Sequence, residues 1–249
     1  MGKVIAVCSG KGGTGKTSSV AALSAALACR GRRVLAVDCD MGLRNLDLCL
    51  GASEEAVFNF CDVLEGRVSL EEAAAEHPEV PGLFLLTAPS LRRPEEIQPI
   101  WMRRLMDDAR EQYDYVLTDA PAGIGAGFRL ALQGADEAVV VANPDAASLR
   151  DAQRVAWEIR EGAHIPARLL VNRLRRSILR IGRSSVDDVM DEVGLQLLGI
   201  IREDRNVILA ANAGVPLAQY RRPKKRSAAR QFQRVAARLE GEYVPLGAI

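Results

Sequence analysis

The feature that most limits how this chain can fold is a glycine-rich turn that joins two segments of different periodicity. The apolar, β-branched run "KVIAVC" at Lys3–Cys8 is typical of a buried strand in a parallel sheet. The alanine-rich stretch Thr17–Arg30, closed by Gly31, predicts a helix. A strand, a glycine-rich turn and a helix in this order predict the start of a βαβ unit.

The remaining chain continues this alternation of strands and helices. Further strands are predicted at Arg33–Asp38, Leu83–Ala88, Tyr115–Asp119, Glu137–Asn143, Ala167–Asn172 and Leu195–Ile201. Helices are predicted at Val57–Leu64, after a capping box at Ser69–Glu72, at Pro94–Gln112 with a kink at Pro99, near Val207 and at Ser227–Leu239. The pattern predicts an α/β fold, a mostly parallel twisted sheet with helices on both faces. No internal repeat or linker divides the chain, so we expect one domain over residues 1–249.

Composition excludes several classes of protein. The 33 basic and 32 acidic residues leave a formal net charge of +1, which makes nucleic acid an unlikely partner. Five cysteines form no CxxC pair and predict buried apolar residues in a reducing compartment. No signal peptide opens the chain and no apolar run is long enough for a membrane span, so we expect a cytoplasmic protein.

The glycine-rich turn itself has the pattern G-x-x-x-x-G-K-[ST], between a predicted strand and a predicted helix. Glycines in such a loop let backbone N–H groups converge on phosphate oxygens, assisted by the positive end of the helix. In such loops the lysine contacts the phosphates, and the hydroxyl group of the following serine or threonine ligates Mg²⁺. The expected nucleotide-binding residues are Gly10, Lys11, Gly12, Gly13, Thr14, Gly15, Lys16, Thr17 and Ser18, with Thr17 also on the metal.

Three aspartates stand where predicted strands end. Asp38 and Asp40 flank Cys39, and residues two apart on an extended chain point to the same side. Asp119 closes the apolar strand "YVLTD", as expected for an aspartate that holds Mg²⁺ through water. Ligands of open α/β sheets bind beyond the carboxyl ends of the strands. These carboxylates are therefore expected around the phosphates, with Asp119 at the metal.

The nucleotide base is predicted by elimination. A guanine-binding protein normally carries N-K-x-D after a strand, whereas here Asn172 is followed by Arg173, Leu174 and Arg175. The distal aspartate is missing, and an asparagine can still hydrogen-bond an adenine edge. The sequence therefore favours ATP, with Asn172 at the base.

These motifs resemble those of the MinD/ParA family of ATPases. The segment "KGGTGKT" is similar to the deviant Walker A motif of that family, which is marked by an additional lysine, here Lys11. Within the family, "DCDMGLRNLDLCLG" at Asp38–Gly51 and "DAPAG" at Asp119–Gly123 resemble the MinD pattern. The segments "NPDAASLRDAQR", "VNRL" and "IREDRNVILAANAGVPL" resemble it as well, and the resemblance covers roughly residues 2 to 240.

The resemblance implies a MinD-like ATPase that places the division site and forms a homodimer only with ATP. Lys11 would then cross the dimer interface to the partner's nucleotide, and Lys16 and Asp40 would complete the catalytic set. Asp40 would orient or activate the attacking water, and Asp38 would act near Mg²⁺. Arg44 and Asn45 would lie on the surface that partners of the MinC and MinE type recognise. The alternatives are a nucleotide-gated scaffold with little turnover and a relative that positions flagella or DNA cargo.

The chain departs from the family pattern near its last residues. Members of the MinD group usually end in a basic amphipathic helix that binds anionic lipid, whereas here "EGEYVPLGAI" contains Pro245 and Gly247, and no basic residue follows Arg238. Upstream, basic residues accompany the predicted helix 227–239, at Arg221, Arg222, Lys224, Lys225, Arg226, Arg230, Arg234 and Arg238. We expect the apolar face of this helix, which carries Phe232, Val235 and Leu239, to pack on the domain. A contact with lipid or with a DNA backbone is the alternative.

Overall fold

A computed structural model describes residues 1–175, 185–221, 223–224 and 227–246 of the chain. Within these residues eight strands join one sheet in the spatial order β3-β4-β2-β5-β1-β6-β7-β8. All neighbouring strands are parallel except β3 and β4. The strands are β1 (Lys3–Cys8), β2 (Val34–Asp38), β3 (Ala75–Glu76), β4 (Leu83–Leu86), β5 (Tyr115–Asp119), β6 (Glu137–Ala142), β7 (Ala167–Leu174) and β8 (Gln196–Arg202).

Helices cover both faces of this sheet, as the alternation predicted. They are α1 (Lys16–Ala28), α2 (Leu46–Leu50), α3 (Phe60–Leu64), α4 (Leu70–Ala73), α5 (Pro99–Gln112), α6 (Ala126–Ala131), α7 (Ala146–Glu158), α8 (Val186–Val193), α9 (Arg205–Asn212), α10 (Leu217–Tyr220) and α11 (Ala228–Leu239). Alternate side chains of β1 lie on opposite faces of the sheet. Ile5 and Val7 pack in the core beneath α1 and α11. Val4 and Ala6 pack in the core beneath α5 and α7.

The prediction of one long helix from Pro94 to Gln112 is wrong in one respect, because Pro99 begins a helix and does not kink one. Pro94–Glu96 forms a separate 3₁₀ turn. Gln98 is extended, with φ −72° and ψ 132°, which is the conformation that a following proline favours. Proline fits the first turn of α5 because the N–H that it lacks would have had no partner there. The short antiparallel strand β3 was not predicted.

The basic helix α11 packs against the sheet as expected. Phe232, Val235 and Leu239 are buried in the core shared with α1. Arg222, Lys225, Arg226 and Gly247, which belong to the sequence argument about this region, lie outside the described residues. In the part of the chain that the structure describes, no helix combines the length and apolarity needed to cross a bilayer.

Strand register brings the predicted acidic residues to one edge of the sheet. The Cα of Asp119 in β5 is paired with that of Asp38 in β2 and with that of Val7 in β1. The turn between β1 and α1 therefore begins beside both aspartates. Parallel pairing, with the carboxyl ends of the strands at one edge, produces this arrangement.

Candidate phosphate-binding site

Two glycines of the β1–α1 turn are required by close contacts on its protein-facing side. A Cβ added at Gly10 would lie 2.5 Å from Cβ of Asp151 in α7 and 2.7 Å from the carbonyl carbon and oxygen of the same residue. Gly15 has φ +88°, and a Cβ there would lie 2.3 Å from Nδ2 of Asn172 at the end of β7. The turn therefore packs directly against α7 and β7, and a side chain at Gly10 or Gly15 would push it away from them.

The other two glycines face open space. A Cβ at Gly12 or at Gly13 would meet no heavy atom within 4 Å. Gly13 has φ +79°, a left-handed conformation that glycine adopts without strain. The hydroxyl of Thr14 is buried without a hydrogen-bond partner among the described residues. An open loop with positive-φ glycines and an unpartnered buried hydroxyl fits a phosphate group.

The contrast between Gly10 and Gly12 can be tested by two matched substitutions in nucleotide-free protein. We expect Gly10→Ala to lower the free energy of unfolding by about 1–3 kcal/mol, because the backbone and Cβ of Asp151 cannot yield without shifting α7. Gly12→Ala should stay within about 0.5 kcal/mol of the parent, because its Cβ enters open space. Urea denaturation measures both values, and equal losses would mean that the turn does not rest on α7 as described.

A buried ion pair lies beneath the loop. Nζ of Lys16 is 2.8 Å from Oδ1 of Asp119, and these side chains are 8% and 1% exposed. The Thr17 hydroxyl lies near Asp119 and favours the ionised form of its carboxyl group. Burial raises the pKa of Asp119, while Lys16 and then Thr17 act to lower it. The lysine, the hydroxyl and the acidic residue of the predicted site are thus brought together, with the lysine and the aspartate in direct contact.

Asp38 organises the loop that follows β2. Its Oδ1 accepts a hydrogen bond from the backbone N–H of Asp40 at 2.8 Å, and its Oδ2 accepts from the N–H groups of Asn45 and Leu46 at 3.2 and 3.1 Å. Burial, and after it the charge of Asp119, raises the pKa of Asp38 to about 6, although these N–H groups favour the ionised form. The role of Asp38 at a metal stays a prediction, and the contacts seen here hold loop residues 40–46.

Asp40 and the expected partner-binding residues lie on this loop. Asp40 is half-buried, and within the described residues its carboxylate has no hydrogen-bond or ion-pair partner. Asn45 is exposed. Arg44, with φ +36°, turns its guanidinium inward, 3.1 Å from Oδ2 of Asp47 and 3.3 Å from the carbonyl oxygen of Ala56. Of the two expected surface residues, Asn45 is therefore open to a partner, whereas Arg44 first has to leave these contacts.

The additional lysine has a partner that the sequence analysis missed. Nζ of Lys11 lies 3.1 Å from Oδ1 of Asp145, and these side chains are 37% and 50% exposed. Asp145 also caps α7 by accepting a hydrogen bond from the N–H of Ser148. An aspartate directly before a helix is a recognisable cap, but its contact with a loop 134 residues away depends on the fold.

Asn172 has other partners than the adenine edge expected from the sequence. Its Nδ2 donates a hydrogen bond to the carbonyl oxygen of Thr14 at 2.8 Å, and its Oδ1 accepts from the N–H of Arg173 at 2.9 Å. The residue is 7% exposed and lies beneath the loop. Its contact with a base stays a prediction, and in the structure its amide contacts the loop at Thr14 and the backbone of β7 at Arg173.

Comparisons with known proteins agree with this geometry. A family model described as "AAA domain" matches residues 2–163, and one described as "Cellulose biosynthesis protein BcsQ" matches residues 89–239. The septum site-determining protein MinD of Synechocystis is 38% identical over 246 residues, which is 98% of this chain and 92% of that protein. MinD of Bacillus subtilis is 37% identical over 249 residues, covering 99% of this chain and 92% of that protein.

Solved structures show the same likeness. MinD in the MinC:MinD complex of Aquifex aeolicus has a TM-score of 0.89 and 36% identity, covering 99% of this chain and 98% of that one. MinD of Pyrococcus horikoshii, solved with Mg-ADP, has a TM-score of 0.83 and 30% identity, covering 96% of each chain. Since relatives this similar match nearly every residue, from the glycine-rich loop to α11, the chain belongs to the MinD family of septum site-determining ATPases.

Proposed function

We propose that this chain binds ATP with Mg²⁺ at the β1–α1 loop and hydrolyses it in a cycle that serves division-site placement. The observation that carries the proposal is the buried contact of Lys16 with Asp119 beneath a loop whose Gly12 and Gly13 face open space. Lys16 would bind phosphate oxygens, as would the backbone N–H groups of residues 10–18. We take the chain as one domain, since all eight described strands belong to one sheet.

The residues around Asp119 fit a magnesium ion. Thr17 would supply an oxygen ligand, with Asp119 and Asp38 nearby, and Mg²⁺ commonly takes one or two carboxylates together with phosphates and water. When bound, the ion neutralises charge on the transferring phosphoryl group. Two buried carboxylates beside one lysine leave the site short of positive charge, which a divalent cation would offset.

Asp40 is the residue that we assign to the attacking water. Its carboxylate is half-buried at the loop mouth and has no protein partner within the described residues, so it is available to accept a hydrogen bond from water. Asp119 is unsuited to this task because Lys16 already engages it. Asp38 is unsuited because three backbone N–H groups engage it.

A protein partner would be recognised at the loop that carries Arg44 and Asn45. The related Aquifex protein was solved as a MinC:MinD complex, which supports a partner of the MinC type for this chain. Hydrogen bonds tie the loop to Asp38, one of the carboxylates that would lie near the metal, so a change at the nucleotide would reach the loop directly. A partner of the MinE type would use the same surface.

Phosphate release from Mg-ATP, with and without anionic vesicles and candidate partner peptides, tests the proposed function. We expect slow turnover that a partner accelerates, and Asp40→Ala should lower the rate by about 100-fold while ATP binding persists. Binding without turnover in every condition would favour a nucleotide-gated scaffold. Absence of ATP binding in the unmodified protein would overturn the proposal.

A further inference from the structure

The amide of Asn172 is fixed at both of its ends. On one side Nδ2 donates to the Thr14 carbonyl oxygen at 2.8 Å, and on the other Oδ1 accepts from the N–H of Arg173 at 2.9 Å. Arg173 itself has a left-handed backbone conformation with φ +53°. An oxygen held by this backbone N–H leaves the amino group facing Thr14. The strand end is therefore shaped to present a donor to the underside of the loop.

Gly15 lacks the side chain that would displace this amide. A Cβ at Gly15 would lie 2.3 Å from Nδ2 of Asn172, and its next neighbours would be Cγ of Asn172 at 3.6 Å and Nε of Arg173 at 3.9 Å. The obstacle is therefore a single side-chain atom, which could move only by giving up its hydrogen bond to Thr14. The absence of a side chain at Gly15 therefore leaves the space that the amide of Asn172 occupies.

The contact sets the direction of one peptide unit in the loop. The carbonyl of Thr14 and the N–H of Gly15 belong to the same planar trans peptide, so they point in opposite directions. A donor that holds the Thr14 oxygen towards β7 consequently directs the Gly15 N–H away from β7. Gly12 and Gly13 of the same loop face free space, where the proposed function puts the phosphates. A phosphate oxygen bound there would meet an N–H that is already oriented.

We infer that Asn172 is a positioning residue that holds the phosphate loop in its binding conformation, acting through Thr14 and Gly15. This inference rests on the proposed function, because it requires phosphates at the loop. It differs from a base-reading role in one measurable respect. A residue that reads adenine affects only ligands that carry the base, whereas a residue that orients the loop affects every ligand that carries the phosphates.

The experiment is calorimetric titration of three magnesium-containing ligands: ATP, GTP and inorganic tripolyphosphate, which has no base. Asn172→Leu keeps most of the side-chain volume and removes the donor, and Asn172→Ala is the second variant should the leucine not pack. We expect each folded variant to bind all three ligands about tenfold more weakly, the effect of losing one buried hydrogen bond. Asn212→Ala, at an exposed position, is the matched control and should bind as the parent does.

A double-mutant cycle with Gly15→Ala adds a second readout that a general loss of packing would not produce. Gly15→Ala should weaken tripolyphosphate binding by displacing the amide of Asn172 and by straining a backbone with φ +88°. Gly15→Ala combined with Asn172→Ala should cost clearly less than the product of the two separate fold-losses, since both changes break the same contact. Multiplicative losses would overturn the inference.

The remaining outcomes separate this inference from the proposed function. If the Asn172 variants lose ATP affinity but keep tripolyphosphate affinity, Asn172 reads the base and the inference is wrong. Unchanged affinity for all three ligands overturns it equally. If the unmodified protein binds neither ATP nor tripolyphosphate, it is the proposed function that fails.

Discussion

Replacing Lys16 with methionine is expected to lower ATP affinity by about 100-fold or more and to destabilise the protein even without nucleotide. The loss of affinity follows from the removal of a charged donor to the phosphates, whose hydrogen bonds are among the strong ones. The loss of stability follows from the isolation of the Asp119 carboxylate, which is 1% exposed and 2.8 Å from the lysine. Breaking a buried pair on one side costs about 3–5 kcal/mol near neutral pH.

The stability deficit of Lys16→Met should depend on pH, measured by urea denaturation in EDTA without nucleotide. Burial raises the pKa of folded Asp119, and removal of Lys16 deletes the largest opposing influence, so this pKa rises further. The unfolded carboxyl has the same pKa in both proteins, so its contribution cancels in the deficit. The deficit therefore grows as pH rises from the folded pKa of Asp119 in the parent to the higher folded pKa in the variant, and it shrinks as pH falls back through that interval.

A second substitution separates the two effects. Asp119→Asn in the Lys16→Met background removes the isolated charge, so we expect it to recover most of the stability and none of the ATP affinity. A deficit that is independent of pH and is not recovered by Asp119→Asn would show that the buried pair is not its cause.

Lys11→Ala is expected to weaken the ATP-dependent dimer strongly. With Asp40→Ala to slow hydrolysis, the protein should sediment as a dimer with ATP and as a monomer with ADP. Adding Lys11→Ala should weaken that dimer by about 100-fold, because a cation placed on the partner's phosphates is lost. ATP affinity of the monomer should change by no more than about threefold, since Lys16 and the loop backbone remain.

The ion pair with Asp145 would not prevent Lys11 from reaching across a dimer interface. Both side chains are substantially exposed at a separation of 3.1 Å, and an ion pair of this kind contributes at most about 1 kcal/mol. A phosphate in a dimer interface is the stronger partner. Lys3→Ala is the matched control, because Lys3 lies at the opposite end of β1 and pairs with Glu137. If Lys11→Ala forms the ATP dimer normally, the lysine does not act across the interface.

The sequence by itself determined the fold class and the family, and it predicted the phosphate loop. Apolar runs that alternate with helical segments leave few arrangements besides a parallel sheet covered on both faces. The loop pattern was equally informative because glycine spacing and a lysine before α1 are local properties. The expected clustering of Asp38 and Asp119 also followed from local reasoning, since both stand at strand ends and parallel strands share one edge.

The tertiary structure alone decided which partner each of these residues has. Asn172 lies 158 positions from Thr14 and Asp145 lies 134 positions from Lys11, and no periodicity in the sequence encodes contacts of that range. The sequence could place an asparagine at the end of β7, but its amide has several possible partners there. In the sheet β7 lies two strands from β1, and this order places the amide beneath the loop. The amide fits there because Gly15 has no side chain.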